Sequence, residues 1–224
     1  MIHHLFSTLP TFKNLGDLKP GLNVLLAQKT EGASTKQTRN RAGKTSFIET
    51  VHFLTGSEAG PDSIFRTPEL AEYAFGMDFD LKDARTVVER SGSAKAKIYV
   101  TAPPAAKRKL SATDWVTFLG EEMFGLSSLE AAGSKPPSFR SLFAYFVRRQ
   151  MSGAFTTPEK QATMQGTGDM QMALMFLLGL DWQIARDWQA VRDREKTLEE
   201  LKKAAGTGAF GSIIGKAADL RTQL

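Results

Sequence analysis

The stretch Thr38-Arg39-Asn40-Arg41-Ala42-Gly43-Lys44-Thr45 carries the most specific chemical signal in the chain. A lysine that follows a glycine at the start of a helix reaches phosphate oxygens. The hydroxyl beside it can ligate Mg²⁺, and free backbone N–H groups at the helix N-terminus attract the same anion. Here Lys44 supplies the ammonium and Thr45 the hydroxyl. The strict G-x-x-x-x-G-K-[ST] pattern is altered, because Thr38 stands at the first glycine position and Gly43 is the only glycine in the loop. A side chain where positive φ is needed costs about 1–3 kcal/mol, which weakens such a site. The plainer reading is a basic loop that precedes a helix.

A phosphate loop must sit between a strand and a helix. Before it, Gly21-Leu22-Asn23-Val24-Leu25-Leu26-Ala27 reads as a short buried strand, and Lys29 to Arg41 as a polar loop. After it, Phe47, Ile48, Val51 and Leu54 recur at helical spacing until Gly56. Met77–Val88 and Ala96–Thr101 read as strands, with a hairpin turn at Ser91-Gly92-Ser93. Pro103-Pro104 and Lys107-Arg108-Lys109 read as a connector.

Ser111-Ala112-Thr113-Asp114 opens a helix with Trp115, Phe118, Leu119 and Met123 on its apolar side. Ser138 caps another, with Phe139, Leu142, Phe143, Phe146 and Val147 on one stripe. These aromatic residues are expected in the core. Met170–Leu180 reads as a buried helix after a polar stretch from Ser152 to Gly168. Ile184, Val191, Leu198 and Ala205 then repeat every seven residues, and their partner positions hold Trp188 but also Glu195 and Lys202. This predicts a short coiled-coil segment, interrupted from Gly206 to Gly215 and resumed at Ala217.

Composition sets the limits. At 224 residues the chain can bury a sizeable core, and 42% hydrophobic with 24% charged residues is ordinary for a globular protein. The absence of cysteine excludes disulfides and thiolate metal sites. The longest strongly apolar run, Met172 to Leu180, falls short of the ~20 residues of a membrane helix. No secretion signal opens the chain, so the expected location is the cytoplasm and no membrane partner is expected. A net charge of +5 and a pI of 9.4 favour polyanions in a general way.

The run Asn40-Arg41-Ala42-Gly43-Lys44-Thr45-Ser46-Phe47-Ile48-Glu49 resembles the N-G-x-G-K-[ST] loop of SMC-type coiled-coil ABC ATPases, with Arg41 in place of a glycine. Phe12-Lys13-Asn14-Leu15 and Gly21-Leu22-Asn23-Val24-Leu25 resemble the opening of those heads. Ser138-Phe139-Arg140, Tyr145 to Gln150 and Leu177 to Asp181 are similar to an SMC-like family that serves as the ATPase of bacterial ABC three-component systems linked to defence against phage.

The resemblance implies an α/β fold: the P-loop lobe of an ABC/SMC-type ATPase head with a mixed sheet and a helical subdomain over residues 1–180, and the root of a coiled coil over 181–224. It implies ATP and Mg²⁺ as ligands. Nucleotide would be held by Lys13, Arg39, Asn40, Arg41, Ala42, Gly43, Lys44, Thr45 and Ser46. Lys44 and Gln150, the latter as the Q-loop glutamine, would act in catalysis, with Thr45 and Gln150 on the metal. It implies a second head as partner, in a homodimer, with DNA and effector or accessory subunits as further partners. ATP hydrolysis would need the carboxy-terminal half of the head, which carries the acidic strand and signature; the nearest acidic pair here, Glu121-Glu122, lies in a helical pattern. A degenerate nucleotide-binding scaffold without hydrolysis and an unrelated P-loop enzyme such as a small kinase are the rival readings.

Other candidates carry less. His3, His4 and His52 lack the carboxylate or cysteine pattern of a metal site. Lys95, Lys97, Lys107, Arg108 and Lys109 form a candidate DNA-contacting edge, with a solvated connector as the alternative.

Overall fold

The computed structural model describes residues 1–16, 18–25, 44–133 and 135–206, and the chain divides into two compact units, Met1–Gln165 and Gly166–Leu224. The first contains β1 (Ile2–Ser7), α1 (Lys44–Leu54), β2 (Ala74–Leu81), β3 (Ala84–Ser91), β4 (Lys97–Thr101), β5 (Arg108–Ser111), α2 (Ala112–Phe124), α3 (Leu126–Ala131) and α4 (Phe139–Phe146). The second contains α5 (Thr167–Leu177) and α6 (Trp182–Gly206). Helices and strands thus mix as the α/β class predicts.

The sheet runs β1-β2-β3-β4-β5 in spatial order, and every pairing is antiparallel. The expected mixed sheet is therefore corrected for the described residues. The reason is connection length: β2 to β5 are joined by short links, and a parallel neighbour needs a crossover of a dozen residues or more. The tightest link is Lys82-Asp83, where Leu81 pairs with Ala84 and Lys82 adopts φ 50°. Ser91-Gly92-Ser93 begins the next link. Gly92 is required there, since a Cβ would overlap the backbone of Phe65.

Alternation along the strands sets the two faces. Phe75, Met77, Phe79 and Leu81 of β2, Val88 and Arg90 of β3, and Ile98 and Val100 of β4 are buried on one face. α1 and α2 cover it. Phe53 of α1 stacks on Phe65 at 4.1 Å, and Phe65 meets Phe75 edge-on at 4.9 Å. Trp115 of α2 is fully buried and its indole N–H donates to Leu54 O at 2.9 Å. Burial of each such side chain is worth about 1.5–3 kcal/mol.

The serine caps stand where the sequence places them. Ser111 Oγ accepts from Asp114 N at 3.0 Å, and Ser138 Oγ accepts from Ser141 N at 3.1 Å. Three expectations need correction. Lys107-Arg108-Lys109 is not all connector, because Arg108–Ser111 pairs with β4 as an edge strand. Phe139 and Phe143 are buried, but Phe146 is 65% exposed near the end of α4. Gly21–Leu25 forms no strand, and Leu22 is 92% exposed. The amide of Asn23 explains the last: it accepts from Lys19 N at 3.0 Å and donates to Lys19 O at 2.6 Å and Gly21 O at 3.1 Å, folding the segment on itself. Leu26 and Ala27, the end of that expected strand, lie outside the described residues.

In the second unit α5 packs along α6. The Phe176 and Trp182 rings lie 6.2 Å apart, and Arg192 donates to Gln171 Oε1 at 3.2 Å. The Met170–Leu180 segment is not buried throughout: Ala173 is enclosed while Leu178 is 70% exposed. Ile184, Trp188, Val191 and Leu198 are all exposed on α6, an open apolar seam. No described helix is long and apolar enough to cross a membrane.

Candidate functional site

α1 starts at Lys44, so the residues singled out for phosphate chemistry straddle its first turn. Arg39, Asn40, Arg41, Ala42 and Gly43 lie outside the described residues, as does the expected ammonium contact of Lys44. Thr45 and Ser46 are exposed in the first turn, and no acidic residue occurs there. That turn therefore presents two hydroxyls at a helix N-terminus and carries no carboxylate of its own. Beside it lies a cleft of about 720 Å³ whose walls include Ile2, Leu15, Val24, Leu25 and Phe47. This is within the ~300–1,000 Å³ of small-ligand pockets, and its walls are mostly apolar. Lys13 is exposed in the segment after β1.

Gln150 is exposed at the head of the 3₁₀ turn Gln150–Ser152. The segment before it is bound to α1. Arg149 donates to both carboxylate oxygens of Glu49, Nε to Oε1 and Nη2 to Oε2, each at 2.9 Å. Glu49 is one helical turn beyond Thr45, so the fork fixes the Gln150 segment against the first half of α1. The pair is only partly shielded, with side-chain exposures of 30% and 25%, so it orients more than it stabilises.

One turn further, His52 is buried and its two ring nitrogens are both engaged. Nε2 lies 2.8 Å from Val147 O, and Nδ1 lies 2.7 Å from Arg140 Nη2. A carbonyl only accepts and a guanidinium only donates, so the ring is neutral with its proton on Nε2. Burial, with the charges of Arg149 and Arg140, lowers the His52 pKa to about 3. Arg140 Nη1 also donates to Thr55 Oγ1 at 3.1 Å. Burial and the neighbouring Arg149 lower its own pKa to about 10.

Sequence reasoning passed over Arg90, which lies between Glu89 and Ser91 on β3. It is buried, and its guanidinium donates to Phe53 O at 2.6 Å, Ser57 O at 2.8 Å and Lys95 O at 2.9 and 2.6 Å. It also sits over the Phe53 ring at 4.4 Å. The helix C-terminus offers it carbonyls at the negative end of the dipole. Strand alternation was the available signal, since Val88 and Arg90 share a face.

The remaining candidates spread over the molecule. Lys97, Lys107, Arg108 and Lys109 are exposed on and beside the β4–β5 edge, with Lys107 paired to Glu89. Glu121 takes hydrogen bonds from Ser128 N at 3.1 Å and Ser128 Oγ at 2.6 Å, and those bonds lower its pKa. Glu122 pairs with Lys82 at 3.0 Å. Glu121 therefore caps the first turn of α3, and Glu122 braces α2 against the β2–β3 turn. His3 meets Asp80 at 2.7 Å. No group of three or more His, Asp or Glu suited to a metal occurs among the described residues. Comparison with protein-family models, curated proteins and solved structures finds no match to this chain.

Proposed function

We propose that this chain is the amino-terminal part of an ATP-binding head of the SMC-like type, with the phosphate tail of a nucleotide held at the N-terminus of α1. The observation that carries the reading is the start of α1 at Lys44, with Thr45 and Ser46 exposed in an acid-free first turn beside the 720 Å³ cleft. Exposed hydroxyls and helix amides fit phosphate oxygens and a Mg²⁺-bound oxygen shell. ATP with Mg²⁺ supplies the binding energy and the cleavable anhydride. Thr45 would hold the metal's oxygen shell, and Lys44 would neutralise the β- and γ-phosphates. Gln150, anchored through Arg149 and Glu49, reports the state of that site to the segment after α4.

In this reading a second head completes the site, the exposed seam of α6 roots a coiled coil, and the lysine-rich β4–β5 edge touches nucleic-acid phosphates. A role in phage defence rests on the resemblance alone. Titration calorimetry with Mg·ATP tests the proposal. Wild-type chain should bind, and Lys44→Ala should lose about ten- to a hundredfold in affinity, the worth of a charge-assisted contact. Equal, negligible binding in both supports the second reading, a scaffold with a degenerate loop. The residues that favour that reading are Thr38 and Arg41, which occupy glycine positions.

A further inference from the structure

Behind the His52–Arg140–Arg149 cluster lies a polar cavity of about 160 Å³, lined among others by His52, Arg140, Arg149, Ser152 and Gln161. Its charges do not balance. Arg149 is matched by Glu49, whereas Arg140 makes no ion pair among the described residues. The partners of Arg140 are Thr55 and His52, and His52 is neutral by its hydrogen bonds. The Glu49 carboxylate acts on Arg140 only at a distance and is already bonded to Arg149, and a largely enclosed guanidinium with no direct ion pair is costly.

The walls also hold uncommitted donors. Arg149 spends Nε and Nη2 on Glu49, which leaves Nη1. The Ser152 hydroxyl and the Gln161 side-chain amide take no hydrogen bond within the described protein. Among the described residues no buried polar side-chain atom lacks a partner, so these donors are within reach of solvent and of a solute. The volume is several times that of a water, ~30 Å³, and below the ~300 Å³ at which pockets for drug-sized ligands begin.

We propose that this cavity is a binding site for a small tetrahedral oxyanion of the phosphate or sulfate class, held by Arg140, Arg149, Ser152 and Gln161. The anion supplies the missing negative charge, and its several acceptor oxygens match donors that converge from α4 and from the segment after it. The site is separate from the α1 N-terminus: His52 lies two turns along the helix from Thr45.

The test uses the full chain and inorganic phosphate, read by calorimetry and by the midpoint of thermal unfolding against chloride at equal ionic strength. Phosphate at millimolar concentration should raise the midpoint and release heat, as expected for a ligand of the folded state. Gln161→Glu, which puts a carboxylate into the wall and supplies the missing charge from the protein itself, should weaken phosphate binding by about tenfold or more without lowering the midpoint in chloride. Ser152→Ala should give a several-fold loss in the same direction, and keeps the test open should Gln161→Glu fold poorly. Lys44→Ala must keep the phosphate response, and in that variant AMP, too large for the cavity, should give none. No difference between phosphate and chloride overturns the proposal. So does a response lost in Lys44→Ala but intact in Gln161→Glu, which places the anion at the helix N-terminus.

Discussion

The two ends of α1 are built on opposite terms. At the C-terminal end Val51, His52, Phe53, Leu54 and Thr55 are all buried. Its carbonyls are taken by side chains from distant strands and helices, Arg90 from β3, Arg140 from α4 and Trp115 from α2. At the N-terminal end Thr45 and Ser46 are exposed, and Phe47 after them lines an open cleft. One end of the helix is fixed by the protein itself; the other is the end to which the proposed function assigns a ligand. If the proposed function holds, stability and binding are separable along a single element of eleven residues.

The sharpest way to break that contrast is Arg90→Met. It removes the hydrogen bonds to the carbonyls of Phe53, Ser57 and Lys95, the first of them buried, and the charge over the Phe53 ring, and urea unfolding should show a loss of about 2–3 kcal/mol. Acid should act at the same end. The folded-state pKa of His52 is lowered to about 3 from an ordinary 6.5, so only the unfolded chain takes up its proton between those values. Its contribution to stability is fully present above pH 6.5 and is lost as pH falls toward 3. Unfolding measured across that window should steepen by up to about 1.4 kcal/mol per pH unit relative to His52→Gln.

Smaller effects are expected toward the other end. Glu49→Gln removes the acceptor of a part-exposed pair and should cost about 1 kcal/mol or less in urea unfolding. In the proposed function it should also loosen the Gln150 segment, seen as faster amide exchange at residues 149–152. Thr45→Ala should leave stability within about 0.5 kcal/mol, since the hydroxyl is exposed, and should act on Mg²⁺-dependent nucleotide binding only. A large destabilisation by Thr45→Ala would erase the distinction between the two ends.

Much of the fold was legible where local rules decide. The spacing of Phe47, Val51 and Leu54 marked α1, and Ser111 and Ser138 announced helices that they do cap. Non-local pairing was not. β1 pairs with β2 across about seventy residues, and nothing in Ile2–Ser7 names that partner. Lys107-Arg108-Lys109 read as a connector because charge is usually solvated, yet charge is what an edge strand carries to resist further pairing. Gly21–Ala27 read as a strand because its leucines outweighed Asn23, whose amide closes a turn on Lys19 and Gly21. The candidate site divides in the same way. Its helix start was visible in Gly43-Lys44-Thr45. The Arg140–His52 and Arg149–Glu49 pairs join residues 88 and 100 positions apart and had no local trace.

Glu49 and His52 of α1 and Thr55 just past its end lie three residues apart, and each is gripped by the chain between Arg140 and Arg149. Rotating the helix by one residue would swing that stripe through about 100°, releasing all three grips together. The helix and its clasp accordingly behave as a keyed shaft: a twist imposed at Thr45 turns the far segment with it or is refused altogether, with no intermediate slip.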